Sequence, residues 1–131
     1  MTPIEPTQPT LLYTQRGRHT LELRVACSFW SRFRGLMFAP PLRADTGLLI
    51  TRCASVHTCF MRAPVDVVYL NADGRVTGCV PHLRPWRLSA SLRTRLGRTR
   101  HVLELAVGSI DRLGIQITDQ LQHPTLGESS I

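Results

Sequence analysis

The side chains best placed to do chemistry are polar groups that cluster between residues 55 and 66. Asp66 lies inside the pattern of residues 65–70, which is apolar on both faces and typical of a strand buried on both sides. A carboxylate in such a strand needs a partner, because an unpaired buried charge costs several kcal/mol or shifts its pKa. The candidate partners just upstream are His57, Thr58 and Arg62. The sequence therefore predicts a polar site around Asp66.

This polar site admits a catalytic interpretation and a structural one. A carboxylate that orients an imidazole serves general-base catalysis, so Asp66 and His57 could activate Cys59 or Ser55 as a nucleophile. Side chains two residues apart on an extended segment share a face but are too far apart for a tight Cys–His hydrogen bond. In the structural interpretation Asp66 is a latch that accepts hydrogen bonds from neighbouring side chains or backbone N–H groups. We favour the latch over a binding pocket, and the pocket over catalysis.

Two more residues extend the candidate pocket. Arg34 could reach Asp66 or hold an anion, or it could simply favour the dipole at the C-terminus of a short helix. Met37 could line the pocket or fill the core. The full set of pocket candidates is Arg34, Met37, His57, Thr58, Met61 and Asp66.

The histidine and cysteine spacings argue against a metal site. Zinc needs three or four convergent ligands, normally from close pairs, and only His57 and Cys59 are close. We therefore expect no metal and no cofactor. No Cys-x-x-Cys pair occurs, and without a secretory signal we expect free thiols. The four cysteines are Cys27, Cys53, Cys59 and Cys79.

A strongly basic stretch runs from residue 75 to residue 103. It holds seven arginines and no acidic residue, and Trp86 lies among them. An aromatic ring among arginines can stack bases while the arginines grip phosphates, but such a run is more often a solvated loop. We expect weak, salt-sensitive binding of polyanions without sequence preference, and little effect of Trp86→Ala, because the ring would pack on the domain or lie idle. The anion or nucleic-acid candidates are Arg84, Trp86, Arg87, Arg93 and Arg95.

Length and composition indicate one ordinary globular domain. The chain has 131 residues, of which 43% are hydrophobic, and its formal net charge is +7. All sixteen basic residues are arginine. No apolar run approaches the roughly 18 residues of a membrane span, and the polar, proline-rich start does not resemble a signal peptide. We expect a disordered arm over 1–9, a cytoplasmic domain over 10–121 and a loose tail over 122–131, without membrane contact.

The element pattern favours a mainly β fold. Short strands are bounded by turn signals, and strand–helix alternation is absent, so we predict a single antiparallel β sandwich or open barrel with one or two short helices. Strands are predicted over 10–13, 20–26, 47–51, 65–70, 75–80, 101–107 and 115–121. Helical turns are predicted from Ser28, over 89–96 and over 109–114.

Several segments together resemble the family filed as domain of unknown function 192. They stand in the order and spacing of that family, over about residues 20 to 121. The matching segments are Arg34-Gly35-Leu36-Met37, Gly47-Leu48-Leu49-Ile50, Ser55-Val56-His57-Thr58 through Met61, Pro64-Val65-Asp66-Val67-Val68-Tyr69, Val102-Leu103-Glu104-Leu105 with Gly108, and Asp119. The resemblance implies a compact, mainly β domain with short helices and no particular activity.

The chain departs from the family pattern in two places. Thr118 precedes Asp119 where the family usually has glycine, and Cys59-Phe60 precede Met61 where the family often has glycine or an aromatic residue.

The function that we favour from the sequence is a non-enzymatic binding or interaction module with a small polar pocket near Asp66 and His57. Its partner would be a small molecule or a protein. One alternative is a small hydrolase-like enzyme that uses the same two residues. The other is a weakly nucleic-acid-associated protein that uses the face from Arg75 to Arg100.

Overall fold

A computed structural model describes residues 8–26, 28, 36–37, 41–91, 93–124 and 126. This part of the chain forms eleven strands and one short helix, which confirms the mainly β prediction. The strands are β1 (Gln8–Thr14), β2 (Gly17–Ala26), β3 (Thr46–Ile50), β4 (Ser55–His57), β5 (Val65–Leu70), β6 (Val76–Leu83), β7 (Leu88–Ala90), β8 (Arg93–Thr94), β9 (Gly97–Arg98), β10 (His101–Ala106) and β11 (Gln120–Gln122). The helix is α1 (Ser109–Leu113). None of the described helical residues belongs to a helix long and apolar enough to cross a membrane.

Seven strands form one curled sheet in the order β11-β1-β2-β3-β10-β5-β6. All neighbours are antiparallel except β2 and β3, which are parallel. A parallel pair needs a long crossover connection, and residues 27–45 supply it. Most of that connection, including the helix predicted from Ser28 and the Arg34-Gly35 pair, lies outside the described residues.

The strands predicted over 10–13, 20–26, 65–70 and 75–80 are confirmed with bounds that differ by up to three residues, and they pair as two hairpins, β1 with β2 and β5 with β6. On β2, Leu21 and Leu23 are buried while Glu22 and Arg24 are exposed, as their alternation predicts. The turn between β5 and β6 is closed by Asn71, whose side-chain oxygen accepts the N–H groups of Asp73 and Arg75 at 3.0 Å each.

The sheet buries apolar side chains on both of its faces. The enclosed face receives side chains from all seven strands and from α1, among them Leu12, Val68 and Leu103. The outer face carries a second cluster, among them Leu48 and Val67, which is covered by β4 and by loop residues. Strand β5 contributes to both clusters in alternation, so all six of its residues are buried, as predicted.

The region after β6 differs from the prediction. Within its described residues, the predicted helical turn over 89–96 is wrong, because this segment contains strands β7 and β8. Strand β7 pairs with β4, and β8 pairs with β9. These strands have two or three residues each and are largely exposed, so the chain shows no apolar alternation there to predict them.

The C-terminal region contains a second correction. Helix α1 confirms the turn or helix predicted over 109–114, but the strand predicted over 115–121 is wrong. Residues 115–119 form a turn in which Thr118 has a φ of 82°, and only Gln120–Gln122 form a strand. Buried residues continue past that strand, at His123 and Leu126.

This turn closes the curled sheet. The backbone N–H groups of Val76, Thr118 and Leu121 donate to the carbonyl oxygens of Asp119, Val76 and Gly74, each at 2.8 Å. Arg75 also forms a bridge with Gln120. The two outermost strands, β6 and β11, therefore meet along this seam.

Candidate functional site

Asp66 is held between two backbone N–H groups. Its side chain is on the enclosed face and the residue is 1% exposed. One carboxylate oxygen accepts the N–H of His82 at 2.9 Å, and the other accepts the N–H of Ile110 at 2.8 Å. The prediction from the strand pattern, that Asp66 is buried and needs a partner, is confirmed.

These two hydrogen bonds provide acceptors for backbone N–H groups at a bulge in β6 and in the first turn of α1. The pairing of β5 with β6 shifts its register opposite Asp66, and His82 adopts a left-handed φ of 55° there. Such a bulge leaves an N–H group without a partner in the ladder, which Asp66 satisfies. Ile110 lies in the first turn of α1, whose N-cap is Gly108 and lacks a capping side chain. Asp66 therefore acts as the latch that the sequence indicated, with backbone partners rather than Thr58 or Arg62.

The remaining pocket candidates lie elsewhere. His57 lies on β4, which covers the opposite face of the sheet, and pairs with Leu88. Met61 packs on the outer-face cluster, Met37 is half-buried, and Arg34 lies outside the described residues. The structure does not bring Asp66 and His57 together, which removes the geometric basis of the hydrolase alternative.

Thr58 organises a loop rather than a pocket. It is fully buried, and its hydroxyl donates to the Arg84 carbonyl at 2.6 Å and accepts the Arg87 N–H at 2.7 Å. Its own N–H donates to the Arg87 carbonyl at 2.9 Å, and its carbonyl accepts the Trp86 N–H at 3.0 Å. Thr58 thus fixes the 84–87 loop against the residues that follow β4.

The loop tips fixed by Thr58 present two adjacent aromatic rings to solvent, which we call the aromatic platform (Phe60 and Trp86). The ring centroids are 4.6 Å apart and the ring planes are tilted by 60°. Phe60 is 46% exposed and Trp86 is 58% exposed. Trp86 thus contacts the domain through the ring of Phe60 and keeps more than half of its surface exposed. The expected effect of Trp86→Ala stays a prediction.

Both platform residues have a backbone conformation that side chains rarely adopt. Phe60 and Trp86 each have a φ of 62°, in the left-handed region. This conformation costs roughly 1–2 kcal/mol per residue that is not glycine. The nearby Leu88 is 81% exposed, which extends the apolar surface.

Three arginines lie within three residues of the platform along the chain. Arg62, Arg84 and Arg87 are exposed, and within the described part of the chain their guanidinium groups make no hydrogen bond or ion pair. Platform and arginines together can bind a ligand that is planar and anionic.

The sequence interpretation missed a second buried carboxylate, Glu104. It lies on the outer face of β10 between Leu48 and Val67, and the residue is 2% exposed. Its Oε2 atom has no hydrogen-bond partner in the described structure. Burial raises the pKa of this carboxyl to about 8. The signal that could have found it is the one used for Asp66, a carboxylate within the apolar run Val102 to Leu105.

A small cavity lies at the C-terminal end of β10, where Leu105 and Ala106 contribute to its lining, but it cannot hold a substrate. Its volume is about 40 Å³, and its lining includes Leu36, Leu42, Met61, Val65 and Ala106. Pockets for small molecules are typically about 300–1,000 Å³. The cavity has room for little more than water.

No metal centre is formed by the residues that the structure describes. Among them, no three His, Cys, Asp or Glu side chains lie close enough to share an ion. The described cysteines, Cys53, Cys59 and Cys79, are free thiols, and Cys27 lies outside the described residues. The expectation of four free thiols remains a prediction.

Comparison with known proteins places the chain in a family. The model for domain of unknown function 192 (DUF192), described as "Uncharacterized ACR", matches residues 11–123. The chain belongs to the DUF192 family. A UPF0127 protein of Pyrococcus furiosus is 35% identical over 116 residues, which cover 86% of this chain and 96% of that protein. A UPF0127 protein of Thermococcus sibiricus is 32% identical over 115 residues, which cover 85% and 71%.

Two crystal structures share the fold. A protein of unknown function from Novosphingobium aromaticivorans aligns with a TM-score of 0.80 and 24% identity, over 89% of this chain and 85% of that one. A putative transcription regulator from Sinorhizobium meliloti aligns with a TM-score of 0.83 and 24% identity, over 96% and 99%. Neither these descriptions nor those of the DUF192 relatives report an enzyme activity.

Proposed function

We propose that this DUF192 domain is a non-enzymatic binding module that holds single-stranded nucleic acid on the aromatic platform. The observation that carries the proposal is the pair of exposed rings, Phe60 and Trp86, held side by side on left-handed backbone. Backbone strain of this kind is characteristic of ligand clamps and functional loops, where the surrounding structure compensates for it. Here the hydrogen bonds of Thr58 supply that compensation.

Nucleic acid is the partner that matches the chemistry of this surface. Bases stack on aromatic side chains with about 1–3 kcal/mol per base, whatever the sequence. Arg62, Arg84 and Arg87 are within three residues of the platform along the chain, the net charge is +7, and the segment from 75 to 103 contains no acidic residue. Such a surface complements phosphate charge. The description of the S. meliloti relative as a putative transcription regulator agrees with this class of partner.

The platform is tested by truncating its rings. A fluorescently labelled short oligothymidylate is titrated with protein at low salt, and binding is followed by anisotropy. We expect Trp86→Ala and Phe60→Ala each to weaken binding by about 5- to 150-fold, the equivalent of about 1–3 kcal/mol. The matched control is Ile117→Ala, which removes another exposed apolar side chain, 54% exposed, from the turn before β11.

Two results would contradict the proposal. One is an affinity for the oligonucleotide that is unchanged by Trp86→Ala. The other is that the wild-type protein fails to bind the oligonucleotide but binds anionic phospholipid vesicles, and that Trp86→Ala abolishes the vesicle binding. The second result would assign the platform to a membrane surface instead.

A further inference from the structure

A second feature of the same region is a hairpin of arginines, formed by β8 and β9 (residues 93–98), which we call the arginine hairpin. Arg93 and Arg98 are direct cross-strand partners, and Arg95 lies in the turn that joins the strands. All three are exposed. Strands β8 and β9 form only two residue pairs, and one of them places two positively charged arginines directly opposite each other.

This pairing is unfavourable in the isolated protein. Like charges directly opposite each other destabilise an antiparallel pair. In the described structure, Arg93, Arg95 and Arg98 have no ion pair and no hydrogen bond to their guanidinium groups. The chain from 75 to 103 offers no carboxylate that could compensate. An anion bound across the hairpin would remove this repulsion.

The arginine hairpin is also fixed in place. The side-chain amide of Asn71 donates to the Leu96 carbonyl at 3.2 Å, which ties the hairpin turn to the turn between β5 and β6. Thr99, directly after β9, is buried and shares a hydrogen bond of 3.1 Å with Thr77 on β6. Ser91, just before β8, donates its N–H to the Ala54 carbonyl at 2.9 Å. The arginines therefore project from an anchored support.

We infer that the arginine hairpin binds the backbone phosphates of the same nucleic-acid strand whose bases stack on the aromatic platform. This inference rests on the proposed function. Arg93 follows Trp86 by seven residues, a length of chain that spans at most about 25 Å, so one strand of several nucleotides can contact both. Guanidinium groups match phosphate oxygens with paired, charge-assisted hydrogen bonds. The platform supplies stacking and the hairpin supplies charge neutralisation.

The two contributions differ in how they respond to salt. Each phosphate that a protein neutralises on a single strand contributes about −0.7 to the slope of log Kobs against log salt concentration, whereas base stacking contributes little. The double variant Arg93→Gln/Arg98→Gln should therefore bind the oligothymidylate more weakly and lower the magnitude of this slope by about 1.4. Trp86→Ala should weaken binding and leave the slope unchanged.

A control variant that removes the same charge elsewhere distinguishes a phosphate site at the arginine hairpin from general electrostatic attraction to the protein. Arg18→Gln/Arg24→Gln removes the same amount of charge from exposed positions on β2. We expect it to change the slope much less than the hairpin variant does. Circular dichroism and thermal melting of every variant show that each one is folded.

The outcomes distinguish this inference from the proposed function. If the hairpin variant and the β2 variant change the slope equally, the arginine hairpin is not a specific phosphate site, whatever the result for Trp86→Ala. If the hairpin variant lowers the slope but Trp86→Ala has no effect, the phosphate site stands and the stacking platform is rejected. An oligomer of inorganic phosphate should compete for the hairpin, and its failure to do so would count against the inference.

Discussion

Asp66 and Glu104 are both carboxylates inside apolar strands, but their surroundings differ. Asp66 accepts two backbone hydrogen bonds, whereas Glu104 has apolar neighbours on both adjacent strands and an oxygen without a partner. Desolvation without compensation favours the neutral acid, which is why burial raises the pKa of Glu104 to about 8. At neutral pH this side chain is therefore mostly protonated.

The protonation of Glu104 predicts a stability that falls as pH rises. The ordinary pKa of 4.5 applies in the unfolded chain, so between pH 4.5 and 8 the folded state holds a proton that the unfolded state has lost. The free energy of unfolding should decrease with pH in this window, by up to about 1.4 kcal/mol per pH unit. We expect Glu104→Gln, which is neutral at every pH, to abolish this decrease, as measured by urea unfolding.

A second titrating residue, His101, determines the pH range in which the effect of Glu104 on stability can be measured. His101 is partly buried near Arg100 and Arg52, and burial with these charges lowers its pKa from 6.5 to about 4. Its contribution has the opposite sign, because stability rises between pH 4 and 6.5 as the unfolded state loses a proton. The Glu104 effect should therefore be read between pH 6.5 and 8. A wild-type stability that is constant over this range would contradict the assignment.

At the scale of elements, Asp66 connects two strands and the helix. It lies on β5, and its carboxylate accepts hydrogen bonds from residues of β6 and α1. Asp66→Ala leaves the N–H groups of His82 and Ile110 without acceptors, so we expect a loss of about 1–3 kcal/mol in the free energy of unfolding. Hydrogen exchange at these two amides should become faster. The control is Asp73→Ala, which removes an exposed carboxylate from a turn. Equal stability of the two variants would reject the latch.

The elements that could be predicted from the sequence are those whose burial is periodic. Strands β2 and β5 follow from their apolar patterns, and the turn at Asn71 follows from its residue types. Strands β7 to β9 could not be predicted, because they are short, exposed and stabilised by pairing with each other or with β4. The strand predicted over 115–121 failed because buried Ile115 and Leu121 flank an exposed turn.

The candidate site likewise has one part that could be predicted from the sequence and one part that could not. Burial of Asp66 follows from its strand alone, and the identical pattern around Glu104 contained information that the interpretation did not use. The contact between Phe60 and Trp86 has no signal in the sequence, because the two residues lie on separate loops brought together by Thr58.

At the scale of the whole molecule, Gly74 tests the seam between β6 and β11. Its φ is 83°, and a Cβ atom there would collide with the carbonyl oxygen of Leu121. Gly74→Ala should therefore combine backbone strain with displacement of β11. Gly17→Ala is the matched control, because Gly17 also has a positive φ, 120°, but has open space around it.

We expect Gly74→Ala to be less stable than Gly17→Ala by about 1–3 kcal/mol, in the range found for overpacking. Exchange of the Val76 and Leu121 amides should become faster in Gly74→Ala alone. Indistinguishable unfolding curves for the two variants would show that the seam contributes little to stability.

The seam between β6 and β11 also has a consequence for how copies of this chain meet one another. An outermost strand normally exposes N–H and C=O groups that can template pairing with another chain, and so promotes aggregation. Along residues 74–76 and 118–121 these groups bond within the chain, and β11 has only three residues. Over this stretch, therefore, the sheet does not offer a neighbouring copy an open edge on which to grow.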